Sequence, residues 1–475
     1  MKIKHLTTRS LLCLLAWCTL AAAPTFAQTI THVPLFTFDS GFAEDRFGTS
    51  VSSAGDVNGD GLSDLIVGDT GGNGLATGDA RVYSGADGSI IHNFVGQDFL
   101  DFFADTVSDA GDVNGDGFAD LIVGTGSPDF IGVQVFSGVD GSLLYDLPFF
   151  GGPVSGAGDV NGDGFDDVVV SETQLGFFNN GQVRVHSGVD GSILYTFEGD
   201  EPTDKLGRSV SGAGDVNGDG FDDVIAGTVC GGGYSGSARV FSGADGSILY
   251  DFDGDSSYDS FGISVSCAGY VNGDGFADVI VGAPANASVT SGYARVFSGA
   301  DGSILYNFEG NGNQSFGRDL FGYSVSGAGD VNGDGFDDLI VGDGANKTNG
   351  TAGGCAHVFS GADGSVIYTF EGNTNDSFGI SVSCAGDVNG DGIADLIVGA
   401  PGRGSTTAGY ARVFVSQITV LKGDVNQDGV IDFADIPALI AVIQAGVFQA
   451  EADCDCSGMI DFADIPAFIA ILMMQ

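Results

Sequence analysis

The chain has 475 residues, with 63 Asp and Glu against 15 Lys and Arg, for a formal net charge of −48. So few basic groups exclude a nucleic-acid groove, and no stretch beyond the N-terminus is apolar for long enough to cross a membrane. The length is ample for a large core, and the gathering of Asp into repeated short clusters points to bound cations.

Residues 1–27 predict an export signal. Lys2, Lys4 and Arg9 give a basic start, Leu11 to Ala23 is a short apolar run, and Thr25-Phe26-Ala27 offers small residues at the −3 and −1 positions of a cleavage site. About 13 apolar residues are too few for a membrane anchor. The expected product is secreted, extracellular or held at the cell surface. Cleavage takes the formal charge to −51 and removes Trp17, the only tryptophan, which excludes Trp-built sugar platforms. It leaves six cysteines, Cys230, Cys267, Cys355, Cys384, Cys454 and Cys456, too few for a disulfide scaffold.

Residues 28–421 carry an internal repeat. Asp56-Val-Asn-Gly-Asp-Gly-Leu-Ser-Asp64 returns with starts at 112, 159, 215, 270, 330 and 387, seven copies at intervals of 47 to 60 residues. Nine residues before each copy stands an apolar anchor: Phe47, Phe103, Phe150, Leu206, Phe261, Phe321 and Phe378. Gly or Ala follows, then a Ser/Val alternation such as Gly262-Ile-Ser-Val-Ser266, read as a first strand. After each Asp-rich segment comes an apolar run such as Asp338-Leu-Ile-Val-Gly342, which suits a strand buried on both faces. A third strand like Ala294-Arg-Val-Phe-Ser298 and a fourth like Ser303-Ile-Leu-Tyr-Asn-Phe308 flank an Asp-Gly turn, for which a type I′ hairpin is expected. Four antiparallel strands in about 55 residues, seven times over, predict a mainly β fold: a seven-bladed propeller. The Ser-Gly-x-Asp-Gly-Ser turn occurs only six times, at 84, 137, 187, 242, 298 and 360, and Leu35-Phe-Thr-Phe-Asp39 matches Leu194-Tyr-Thr-Phe-Glu198. The N-terminal segment is therefore expected to complete the last blade beside residues 410–415.

Phe-Gly near the start of a unit, the Asp-rich loop, and Val281-Gly-Ala-Pro284 or Val398-Gly-Ala-Pro401 resemble the FG-GAP repeats of integrin α-chain propellers. The resemblance implies calcium in the loop joining strands 1 and 2, and partner binding on the opposite face.

The loops predict calcium on their own chemistry, because Ca²⁺ takes six to eight oxygens that a tight loop supplies from alternate positions. Asp at 1, Asn at 3, Asp at 5 and Asp at 9 point inward, with the carbonyl of residue 7 completing the set. The candidate ligands are Asp56, Asn58, Asp60, Leu62 and Asp64; Asp112, Asn114, Asp116, Phe118 and Asp120; Asp159, Asn161, Asp163, Phe165 and Asp167; and Asp215, Asn217, Asp219, Phe221 and Asp223. The fifth loop has Tyr270 in place of the first Asp and keeps Asn272, Asp274, Phe276 and Asp278, so weak or no binding is expected there. Asp330, Asn332, Asp334, Phe336 and Asp338, and Asp387, Asn389, Asp391, Ile393 and Asp395, complete the ring. A solvated Asp-Asn-Gly turn explains one such loop but not six full ones.

Third strands carry Arg81, Arg184, Arg239, Arg295 and Arg412, with Gln134 and His357 as substitutes. A ligand ring is one reading; pairing with carboxylates of a neighbouring blade is the favoured one. Cys267 and Cys384 take the same strand position two blades apart, and Cys230 and Cys355 also fall in non-adjacent blades, so these four are expected unpaired.

Residues 422–475 change pattern. Asp424, Asn426, Asp428, Asp432 and Asp435 occupy positions 1, 3, 5, 9 and 12 of an EF-hand-like calcium loop, followed by the helix-like run Ile436 to Ile443. The design returns 29 residues later with Asp453, Asp455, Ser457, Asp461 and Asp464 and the run Ile465 to Leu472. Pro437 and Pro466 suit a first helical turn. The paired loop-helix units resemble a type I dockerin, which implies docking onto a cohesin; the second reading is a calcium-stabilised tail with no such partner. Ser457, Cys454 and Cys456 depart from the pattern and put the second loop's affinity in question.

The function expected is a non-catalytic adhesion, scaffolding or ligand-binding protein taking a protein or glycan on its rim. The alternative is an extracellular polysaccharide lyase or hydrolase. His32, His92, His186 and His357 are scattered, and no nucleophile elbow is present, which argues against catalysis. Phe99, Phe102, Phe149, Phe177 and Phe178 are expected to form an aromatic patch for a partner away from the calcium ends.

Overall fold

The computed structural model describes residues 29–419 apart from 44, 72–76, 98–101, 127–130, 173–179, 202–203, 230–234, 258, 285–290, 311–319, 345–352 and 403–407. The export signal and the 422–475 module lie outside the described residues, as do Cys230, Phe99, Phe177 and Phe178.

Seven four-stranded sheets make the seven blades, and six of them are simple meanders. Blade 1 consists of Ser50–Gly55, Asp64–Asp69, Asp79–Tyr83 and Ile90–Val95. Its register sets Val51 against Val67, Val67 against Arg81 and Arg81 against Asn93. The second strand of blade 1, Asp-Leu-Ile-Val-Gly-Asp, is buried at every residue. The continuous apolar run follows from that position, because neighbouring blades cover both faces of the strand. The fourth strands form the outer edge and alternate, with Ile90 exposed and Phe94 buried.

Blade 7 closes the ring. Its sheet runs in the order Ser381–Gly386, Asp395–Ala400, Ala408–Thr419 and then Thr29–Ala43, so the first strand of the chain is the outer strand of the last blade. That is the closure predicted from the missing seventh turn.

Blades are joined by a repeated ring stack. The fourth-strand Phe of one blade lies on the third-strand aromatic of the next: Phe94 on Phe136, Phe197 on Phe241, Phe252 on Phe297, Phe308 on Phe359 and Phe370 on Phe414, with centroids 3.9–4.1 Å apart. Beneath these stacks Phe47, Leu206, Phe261 and Phe378 are fully buried, and Phe103 and Phe321 nearly so. The glycine after the anchor is required by close approach. At Gly48, φ is +84° and a Cβ would sit 2.4 Å from the Tyr410 carbonyl oxygen of blade 7.

Four expectations are corrected. The third-to-fourth-strand turn is not a two-residue type I′ hairpin. In blade 1 the Ser84 carbonyl accepts from Gly88 N, Ser84 N donates to the Ser89 carbonyl, and within Gly85 to Gly88 only Gly88 has positive φ. Asp87 Oδ1 accepts from Ser89 N at 2.9 Å, which holds the wider turn without needing φ > 0 at Asp87. Phe149 and Phe150 belong to the strand Leu143–Phe150 rather than to a connection or the start of blade 3. Phe102 is half-buried at φ +50°, the one patch residue whose side chain is described. The strand-3 arginines divide in two. Arg239 and Arg295 reach Asp200 and Asp255, in connections from the preceding blade, at 2.5 Å each. Arg81 instead pairs with Asp79 two residues away at 2.6 Å, and Arg184 faces Glu172 of its own sheet at 4.0 Å. Cys267 and Cys384 are free thiols, as their separation predicts.

Candidate metal centre

The Asp-rich loops join the first and second strands of every blade and share one end of the propeller. In blade 1, Asp56 organises the loop: Oδ1 accepts from Gly59 N at 2.6 Å and Asp60 N at 3.1 Å, and Oδ2 accepts from Gly61 N at 2.9 Å. Asn58 Oδ1 accepts from Asp60 N and Asp60 Oδ1 from Leu62 N, both at 2.9 Å. The side-chain oxygens at positions 1, 3 and 5 are thereby fixed on the inside of one turn. Gly61 holds φ +86° with nothing near its missing Cβ, so backbone conformation alone requires glycine there.

Residue 9 closes the loop from below. Asp64 is fully buried; Oδ2 accepts from Val57 N at 3.1 Å and Oδ1 from Gly85 N at 2.9 Å. Gly85 belongs to the outer turn, so one carboxylate ties the loop to the third-to-fourth-strand hairpin. Asp120, Asp167, Asp223, Asp278 and Asp338 repeat this bond with Gly138, Gly188, Gly243, Gly299 and Gly361. In blade 7, which lacks the turn, Ser416 N donates to Asp395 Oδ1 at 2.9 Å instead.

Three contributions were not read from the sequence. Residue 8 links neighbouring loops: Asp166, Asp222 and Asp337 accept from the backbone N–H of residue 1 of the preceding loop, at Asp112, Asp159 and Tyr270, at 2.7–3.0 Å. The N–H of residue 8 also donates to the residue-1 carbonyl of the preceding loop, as from Ala119 to Asp56, Ala277 to Asp215 and Ser63 to Asp387. Residue 7 contributes a side chain besides its carbonyl, since Phe118 lies so close over Gly59 that a Cβ there would be 2.5 Å from Cε1. The signal for these was the restriction of position 8 to Asp, Ala or Ser, and Phe at position 7 in five of the seven loops.

The fifth loop departs as expected. Asp274 N still donates to Asn272 Oδ1 and Phe276 N to Asp274 Oδ1. Tyr270, half exposed, supplies no carboxylate for the N–H groups that Asp56 satisfies in blade 1.

The donor set fits a divalent cation. Burial pushes the Asp64 carboxyl up to about 6 against the hydrogen bonds from Gly85 and Val57, and the charges of Asp60 and Asp56 raise it further. Burial has the same effect on Asp120, Asp338 and Asp395, raised to about 7. Neighbouring carboxylates that repel one another are what a bound cation relieves, and all-oxygen donors on a tight loop suit a hard cation. The predicted ligands at 424–435 and 453–464 lie outside the described residues.

The FG-GAP repeat family matches residues 151–186, 264–297, 321–354 and 378–414, within blades 3, 5, 6 and 7. Four of the seven blades carry FG-GAP repeats. The chain is similar to integrin alpha-5 of Xenopus laevis, 34% identical over 178 residues, covering 34% of this chain and 16% of the relative. It is also similar to integrin alpha-V of Gallus gallus, 32% identical over 235 residues, covering 44% of this chain and 21% of the relative. The chain spans about a fifth or less of these relatives' length. No helix among the described residues is long and apolar enough to cross a membrane.

Proposed function

We propose that this FG-GAP propeller is a secreted, calcium-loaded, non-catalytic ligand-binding protein of the adhesion or scaffolding kind. The observation that carries this reading is the ring of loops in which backbone N–H groups hold the side-chain oxygens of residues 1, 3 and 5, as at Asp56, Asn58 and Asp60, above a buried carboxylate such as Asp64. Six of the seven loops have the full donor set and would each hold one Ca²⁺; the Tyr270 loop would bind weakly or stay empty.

The calcium ring occupies one end of the blades and leaves the opposite connections to vary in length and sequence, which suits them to recognise a protein or glycan. The likeness to integrin α chains favours a protein. Residues 1–27 would direct export, and residues 422–475 would form a dockerin-like module with a cohesin-type partner or a calcium-stabilised tail.

Capture from cell-surface extract, with and without EDTA, tests the reading together with calcium-dependent melting. Each site at tenfold excess over Kd adds roughly 1.4 kcal/mol to native stability, so EDTA should lower Tm by many degrees and abolish capture. An unchanged Tm would refute the calcium assignment.

A further inference from the structure

At the end of blade 6 away from the calcium loops, three chemically different donors meet. Asp343 ends the second strand, Asp338–Asp343, and Cys355 begins the third, Cys355–Phe359, directly across from it in the register. His357, two residues on, projects from the same face. One ligand atom from each lies within 4.8 Å of the other two. Cys355 Sγ is 3.1 Å from His357 Nε2, and His357 Nδ1 is 3.1 Å from Thr369 Oγ1 on the fourth strand. Asp343 and Cys355 are buried.

The same register position of the third strand carries Arg in five other blades. In blade 1, Arg81 supplies a positive charge beside Asp79, 2.6 Å away. Blade 6 keeps at Asp343 the buried carboxylate that blade 1 has at Asp69, but carries the Cys355 thiol where blade 1 has Asp79 and an imidazole in place of the fixed cation; in blades 5 and 7 the thiol's position holds the phenol of Tyr293 or Tyr410. The exchange removes a permanent charge and leaves three groups that can each present a lone pair.

We propose that Asp343, Cys355 and His357 form a binding site for a borderline divalent transition metal of the zinc class, distinct from the calcium ring. Mixed sulfur, nitrogen and oxygen donors select such an ion over Ca²⁺, which takes oxygen alone. Thr369 is the outer partner: with the proton on Nδ1 donated to Thr369 Oγ1, the Nε2 lone pair faces the metal position. A tetrahedral zinc places sulfur and nitrogen about 3.6 Å apart, so the observed 3.1 Å pair has to open by only about half an ångström. Three protein ligands leave a fourth position for water or for a donor group of a bound partner.

The test is Co²⁺ titration of the full chain, reduced and saturated with Ca²⁺, read by absorption, followed by Zn²⁺ competition. One equivalent should give a thiolate-to-cobalt charge-transfer band with tetrahedral d–d bands, displaced by Zn²⁺. Cys355→Ser should abolish the charge-transfer band. His357→Arg, which installs the residue that five blades already carry, should weaken binding at least a hundredfold while leaving calcium-dependent melting unchanged. Thr369→Val should weaken it about tenfold. The double variant Cys454→Ser, Cys456→Ser should retain the band. Absence of the band in the unaltered chain, its survival in Cys355→Ser or His357→Arg, or its loss in the Cys454/Cys456 double variant would overturn the assignment. If Cys355→Ser does not fold, His357→Arg decides.

Discussion

Phe38 lies flat against Tyr83, with ring centroids 3.9 Å apart and planes at 18°. One residue comes from the first strand of the chain and the other from blade 1, yet their geometry is that of Phe252 on Phe297 inside the ring, at 3.9 Å and 15°. The closing contact thus has the geometry of an internal one. Phe38→Ala is expected to destabilise the propeller by about 3–4 kcal/mol, as much as Phe94→Ala. Denaturant unfolding of the two variants checks this; a cost below about 1 kcal/mol for Phe38→Ala would make the first strand an accessory.

Tyr270→Asp is expected to raise calcium stoichiometry by one. The substitution supplies the missing carboxylate and gives the N–H groups of Gly273, Asp274 and Gly275 the acceptor that Asp56 provides in blade 1. Calorimetric titration of the two proteins reads the difference directly, with Asp215→Ala in the adjacent loop as the converse.

Gly59→Ala should disturb two loops at once. The left-handed conformation at φ +75° costs an alanine about 1–2 kcal/mol, and its Cβ would strike Phe118, residue 7 of the next loop. Adding Phe118→Ala should relieve the collision, so the double-mutant cycle should show a coupling of about 0.5–3 kcal/mol. Additive losses in melting and calcium affinity would mean that the two loops are independent.

Acid should loosen the closing strand. Burial holds the His32 imidazole down at about 4, only partly offset by the charge of Asp391, and neither ring nitrogen has a hydrogen-bond partner. Between pH 6.5 and 4 the unfolded chain binds the proton and the folded chain does not, so stability rises with pH across that window and is lost on acidification. About 1–2 kcal/mol should disappear between pH 7 and 5. His32→Phe, which keeps the contact with Tyr368 at 4.5 Å in the parent, should flatten that part of the profile in melting measured against pH.

The blades were legible because their signals are local. Asp338-Leu-Ile-Val-Gly342 needs only its own composition to declare a strand covered on both sides, and Asp56-Val-Asn-Gly-Asp-Gly declares a loop of inward oxygens. The closure was legible as a missing turn with a spare strand at the other end of the chain. What escaped reading acts across blades. Asp166 accepting from Asp112 N spans 54 residues, and Asp337 accepting from Tyr270 N spans 67, distances at which spacing carries no signal. The arginines were half legible for the same reason: Arg81 takes the carboxylate two residues away at Asp79, whereas Arg295 takes one on a neighbouring connection at Asp255.

The links from residue 8 of each loop to residue 1 of the loop before it give the calcium end an order. Ser63 reaches back to Asp387, Ala119 to Asp56, and so on round the ring. Such a belt behaves as a one-dimensional row of neighbours, each stiffening the next as it fills. If the Tyr270 loop binds weakly or stays empty, as proposed, it would interrupt the row, because such a loop passes on little of that stiffening. With calcium bound as proposed, the circle would be, in its ion binding, a line with two ends: one beside blade 4, the other beside blade 6. The loops flanking blade 5 have one filled neighbour instead of two, and should be the first to release their ions as calcium falls.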